Sequence, residues 1–250
     1  MVSSYTPTLG ALLKARTNLQ PLRLSGAKAL TISEPAAPGK TYLHSALEES
    51  AIVAGILHPV SAVTSLGGPG PLQSDEGAKM DAVIDSLPGA GIIHLACHGL
   101  QSLSNALESG FFLRDGTLTV AKLMELDLRH AFFAYLSACE TAKGDRSQPD
   151  QAIHLAAAML FVGFKSVIGT MWLVFSRSND KPSDLNLMTS IRAIDDSVSP
   201  LVARKVYERL LEDDLLDAEA IPYALDAAVR ELRRQKYSPN HWAPFIHVGA

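Results

Sequence analysis

The sequence is poor in cysteine, lacks any long apolar run and carries no excess of basic charge. Only two cysteines, Cys97 and Cys139, occur in the 250 residues. That excludes a disulfide framework and makes a reducing compartment the natural expectation. No stretch approaches the roughly 18 apolar residues that a membrane-spanning helix needs, so no membrane role is expected. The opening MVSSYTPTLGALLKARTNLQ has no charged region followed by an apolar one and does not read as a signal peptide. The default location is therefore cytoplasmic. The formal net charge is −4, so no global basic field points to nucleic acid as a partner. Basic residues cluster only at Arg230, Arg233, Arg234 and Lys236, a pattern that reads as a solvated face near a helix C-terminus.

What is present is core-forming material. Hydrophobic residues make up 47% and charged residues 19% of the chain, too apolar a mixture for disorder. The length suits one large α/β domain or two small ones. Two near-continuous apolar runs, 91–98 and 131–138, predict strands buried on both faces of a parallel sheet. Further strands are predicted over 166–172, 29–33 and 244–248. Helical patterns fall at 47–57, 78–87, 151–161, 201–211 and 221–235. The first of these has Glu48 and Glu49 near its start, and the last places Leu225, Val229 and Leu232 on one stripe. Gly67 to Pro71 reads as a loop. Alternating strands and helices predict a three-layer α/β/α sandwich with a mostly parallel central sheet.

Two chemically capable residues stand at strand ends. His98 closes one apolar run and Cys139 follows the other. A thiol nucleophile needs a base within reach and hydrogen-bond donors for the oxyanion. In open α/β sheets such groups gather at the carboxyl ends of strands. Gly99 lets the backbone turn and approach a ligand closely, and the amides of Gly99 and Cys139 are the natural oxyanion donors. Glu140 reads either as a substrate-recognition residue or as a strand-end carboxylate. A zinc site built from His94, Cys97, His98 and Cys139 is disfavoured. In a strand, residues 94 and 98 share one face while 97 points the other way. No metal or other cofactor is expected. His94 and Cys97 read as core residues, Asp115 as a turn residue, and Asp150 as the N-cap of the helix beginning at Gln151. His154 and His247, in apolar runs, read as structural.

The phrases HLACHG (94–99), LSACETA (136–142), GFKSVIGTMW (163–172) and HWAPFIHVG (241–249) resemble the CHAT domain family of caspase-like cysteine peptidases, the group that includes caspases, separase and gingipains. The resemblance runs from about residue 3 to 249. SSYTPTLGALLKAR and AIHLAAAMLF are similar to fungal members in particular. It implies a caspase-like fold and a cysteine endopeptidase that cleaves protein or peptide substrates, with His98 as base and Cys139 as nucleophile. The alternative is a caspase-like interaction or signalling module without catalysis. Trp172 and Trp242 match aromatic positions of the family and read as packing residues. At Gln151 the family often carries Asp-Glu in this region, which puts a charged role there in doubt.

The stretch 173–192, rich in Ser, Asn, Asp, Lys and Pro, has no counterpart in the family pattern. Joining Trp172 to Ala193 gives an uninterrupted family-like segment. The stretch is read as an atypical insertion in a single domain over 1–250, with a retained intron as the first explanation and a genuine loop as the second. The start, at a family motif with no upstream strand, is read as an N-terminal truncation. The tetratricopeptide repeats that commonly precede such domains would then lie upstream or on a separate regulator. Transcript sequencing checks the intron: the expectation is mature RNA joining codon 172 to codon 193, and reads through 173–192 would reject it.

Overall fold

The computed structural model describes residues 2–17, 19–68, 76–100, 102, 105–137, 152–170, 174–175, 191–192 and 198–250. Among these, six strands form the central sheet: β1 (Lys28–Glu34), β2 (Ala62–Leu66), β3 (Ile92–Cys97), β4 (Phe133–Leu136), β5 (Ser166–Thr170) and β6 (Phe245–Gly249). Their spatial order is β2–β1–β3–β4–β5–β6. The first five run parallel and β6 lies antiparallel on β5. The predicted mostly parallel α/β sandwich is the architecture observed.

Every residue of β3 is buried, because helices cover both faces of the sheet. On one face, Ile93, Leu95 and Cys97 of β3 join a core with α3 (Met80–Ser86), α4 (Val120–Glu125) and α5 (Ala152–Val162). On the other, Ile92 of β3 joins Phe133 and Tyr135 of β4 and the apolar stripes of α2 (Ala46–Leu57), α6 (Ser199–Leu210) and α7 (Ala220–Arg234). Alternation along a strand therefore assigns each side chain to one layer or the other. Each fully buried Leu or Ile contributes about 1.5–3 kcal/mol, and Leu225 and Leu232 of the expected α7 stripe are buried while Val229 is partly so.

Several features are absent from the sequence reading. β2 is a half-exposed edge strand without strict alternation. A short helix α1 (Leu9–Arg16) is capped by the Thr8 hydroxyl. A small antiparallel sheet follows β3, built from Gly99–Leu100, Gly110–Phe112 and Thr117–Thr119. The strand expected to reach Trp172 ends at Thr170 in the described residues. Of the expected insertion, Val174–Phe175 pairs antiparallel with Ile191–Arg192, and the rest lies outside the described residues. Gly67 has φ +104°, and a Cβ there would sit 1.8 Å from the Ser33 carbonyl oxygen. The chain leaving β2 thus crosses directly against β1, as only glycine allows.

His247 secures the β6 edge. It is fully buried, with Ser4 Oγ 2.7 Å from Nδ1 and Ser166 Oγ 2.6 Å from Nε2. Tyr5 N–H donates to the His247 carbonyl, and Gly249 N–H donates to the Tyr5 carbonyl, so the first residues lie along the last strand. Burial lowers the His247 pKa from 6.5 to about 4. A lowered histidine pKa means that the unfolded chain takes up the proton first. The stabilisation is complete above about pH 6.5 and is lost as pH falls towards 4. At 1.36 kcal/mol per unit the loss is on the order of 3 kcal/mol. We expect the unfolding free energy to fall through this window with a slope that His247→Gln reduces by about one proton, measured by denaturant melts at stepped pH.

Candidate functional site

The strand order reverses between β1 and β3. From β1 the chain continues to β2 on one side, while β3 and β4 extend the sheet on the other. Such a switch opens a crevice at the carboxyl ends of the two strands. His98 is the first residue after β3 and is fully buried. Its Nε2 lies 2.7 Å from the carbonyl oxygen of Thr41, in the loop 35–45 that leaves β1. A carbonyl only accepts, so Nε2 carries the hydrogen and the neutral ring keeps its lone pair on Nδ1. Phe112 N–H donates to the His98 carbonyl at 2.8 Å, tying the histidine to the small sheet. Gly99 stands opposite Phe111 in a pair that exchanges no hydrogen bonds, so the Gly99 N–H points away from that strand. The Lys40 ammonium lies 4.1 Å from the Phe112 ring centroid and joins the loop after β1 to the small sheet on the same rim.

A buried ion pair fixes this rim. Glu34, the last residue of β1, is fully buried, and Arg114 is 8% exposed. Arg114 Nη2 lies 3.0 Å from Glu34 Oε1, and its Nε donates to Oε2 at 3.3 Å. The carboxylate also accepts from Ala36 N–H and Ala78 N–H. A Cβ at Gly77 would lie 2.4 Å from Arg114 Nε and 2.7 Å from Glu34 Oε2, so glycine lets the chain pass over the pair. Asp115 is more than a turn residue: its carboxylate accepts from Met80 N–H at 2.9 Å and caps α3 from the neighbouring hairpin.

β3 and β4 are parallel neighbours, with Leu95 opposite Leu136, so both leave the sheet at the same edge. Ser137, just after β4, donates its N–H to the Leu95 carbonyl. Its hydroxyl donates to Glu49 Oε2 at 2.5 Å. Cys139, Glu140, Asp150, Gln151 and Trp172 lie outside the described residues, as does the side chain of His154. Glu49 lies in the first turn of α2, as the sequence suggests, but faces inward. It is buried, with Oε1 3.3 Å from His94 Nε2. His94 stacks on Tyr135 at 5.0 Å and faces Tyr207, whose hydroxyl is 3.5 Å from Nδ1. Burial, reinforced by the charge of Glu49, raises the pKa of both phenols well above the usual tyrosine value, so both stay neutral.

His94 and Cys97 are buried on opposite faces of β3 and do not converge on one ion. Trp242 packs partly buried against the α7 layer, with Arg233 5.1 Å from its ring. Arg230 and Arg234 pair with Asp226 and Glu231 on the exposed face of α7. Sequence reasoning missed Thr41, Glu34, Arg114, Glu49 and Ser137. Thr41 acts through its carbonyl and leaves no residue-type signal. Glu49 did leave one: Ala46, Glu49, Val53 and Leu57 form the buried stripe of α2, and a carboxylate on that stripe needs a partner.

These features define a caspase-like α/β fold with a histidine at its switch point. Residues 1–181 match the CHAT domain model, and the chain belongs to the CHAT domain family. Among solved structures, the complex of Porphyromonas gingivalis RgpB pro- and mature domains is similar with a TM-score of 0.54 at 11% identity, covering 96% of this chain and 51% of that one. The Arg-specific cysteine proteinase gingipain R (RgpB) gives a TM-score of 0.47 at 11% identity, covering 91% and 46%. At such identity the first likeness speaks for the fold alone, and the second adds no argument. The chain spans about half the length of these gingipain chains. No curated protein sequence matches it.

Breaking the Glu34–Arg114 pair from one side leaves a buried charge uncompensated. Glu34→Ala is expected to cost about 3–5 kcal/mol in denaturant unfolding, and the double change Glu34→Leu with Arg114→Met markedly less.

Proposed function

We propose that this chain is a cysteine endopeptidase acting on protein or peptide substrates, with Cys139 as nucleophile and His98 as base. The observation that carries this reading is the placing of His98 at the carboxyl end of β3, its ring held by the Thr41 carbonyl, beside the strand that leads to Cys139. The Cys139 sulfur attacks the scissile carbonyl carbon while its proton passes to His98 Nδ1. His98 then gives that proton to the leaving amine, and water, deprotonated by the same imidazole, hydrolyses the thioester. The Gly99 and Cys139 amides hold the oxyanion, a role supported by the Gly99 N–H turning away from the small sheet. Glu140 follows the nucleophile and is assigned to substrate recognition. The full burial of His98 favours a second reading, a caspase-like interaction module without turnover. A peptidyl thiol-reactive probe separates the two. The peptidase reading expects selective labelling of Cys139, with cleavage lost by about 10⁴-fold or more in Cys139→Ala. Cys97, 1% exposed, serves as the unlabelled internal control. Undiminished proteolysis in Cys139→Ala would end this mechanism.

A further inference from the structure

We infer that Glu49 and Ser137 are positioning residues for the nucleophile; this rests on the peptidase reading above. Ser137 precedes Cys139 by two positions and is the last described residue before it. Its backbone is fixed to β3 by the bond to the Leu95 carbonyl. Its side chain is fixed independently by the 2.5 Å bond to Glu49 Oε2. That length belongs to hydroxyl–carboxylate bonds, which are shorter and stronger than neutral ones. The chain therefore enters the nucleophile segment from a residue held at two points.

The carboxylate is held in turn. Glu49 side chain is 2% exposed, and its other oxygen faces His94 Nε2 at 3.3 Å. His94 is sandwiched against Tyr135 on β4 and Tyr207 on α6. A run of polar groups, Tyr207–His94–Glu49–Ser137, thus crosses the second layer of the sandwich and ends at the root of the nucleophile segment. A lone carboxylate inside an apolar layer costs several kcal/mol unless it is bonded. A hydroxyl on a neighbouring solvated loop would serve the substrate crevice without any of this burial. The cost is explained if the group it holds must not move, since about 1 Å of misplacement at a reacting atom can lower a rate on the order of 100-fold.

The test is steady-state kinetics per titrated active site, together with the rate of Cys139 alkylation by iodoacetamide, on the wild type and on Ser137→Ala, Ser137→Thr, Glu49→Leu, Glu49→Gln and the double variant Ser137→Ala/Glu49→Leu. We expect Ser137→Ala and Glu49→Leu each to lower kcat tenfold or more with KM within twofold. The double variant should be no worse than the more impaired single variant, because the Ser137–Glu49 bond is already lost in each. Ser137→Thr, which keeps the hydroxyl, should recover most of the loss, and Glu49→Gln should lose two- to fivefold. A purely structural role would lower the melting temperature and the titrated fraction but leave kcat per site unchanged, and that result overturns the inference. If Ser137→Ala or Glu49→Leu does not fold, the isosteric Glu49→Gln decides, and a kcat equal to the wild type overturns it. If wild-type Cys139 is alkylated like an ordinary thiol and His98→Asn leaves that rate unchanged, the peptidase reading itself has failed, and the positioning role falls with it.

Discussion

The bond between Glu34 and Arg114 is the contact on which the arrangement around His98 depends. At the end of β1 the parallel sheet stops supplying partners to the backbone, and three chain segments have to be arranged without it. One carboxylate receives the start of the loop 35–45, the segment entering α3 and the guanidinium of the hairpin beyond β3. The loop so anchored carries Thr41, and Thr41 sets the imidazole of His98. Through this loop the ion pair is linked to the nitrogen of His98 that faces the Thr41 carbonyl.

The sheet has two unlike faces. One is filled by aliphatic side chains from α3 and α5, the ordinary filling of a covered parallel sheet. The other mixes aromatic rings with a buried glutamate and histidine. Aliphatic packing tolerates exchange of similar volumes. A connected polar network does not, because each lost partner strands another. The two layers therefore differ in the kinds of substitution they accept, although both are equally buried.

Much of this was legible in the sequence. The runs around His94 and Phe133 announced buried parallel strands because neither alternates, and the stripe at Leu225 and Leu232 announced α7. The motifs placed His98 at a strand end, and it stands there. Less legible were elements without a strong periodicity: β2, with its half-exposed residues, and the short strands after His98. Contacts made through backbone carbonyls, as at Thr41, left no trace in residue type. Charged residues whose meaning lies in a distant partner, such as Glu34 with Arg114, were ordinary surface acids and bases until the chain brought them together. For Glu49 the trace existed, a carboxylate within the apolar stripe of α2, but its place near the helix start hid it.

The histidine at the β6 edge has a topological side. Its two serine partners lie 81 and 243 positions away along the chain. Taken singly, the entropy of closing the wider ring exceeds that of the narrower by only about 1 kcal/mol, because closure cost grows with the logarithm of length. One imidazole thereby joins the opening segment, the fifth strand and the sixth. Losing it loosens all three together, and where the ladder between β5 and β6 then opens, the flank of β5 is uncovered. That flank is a row of backbone donors and acceptors with no partner, a template for strand addition by another chain. The seam that protonation of His247 loosens is thus also the one that keeps this strand edge covered.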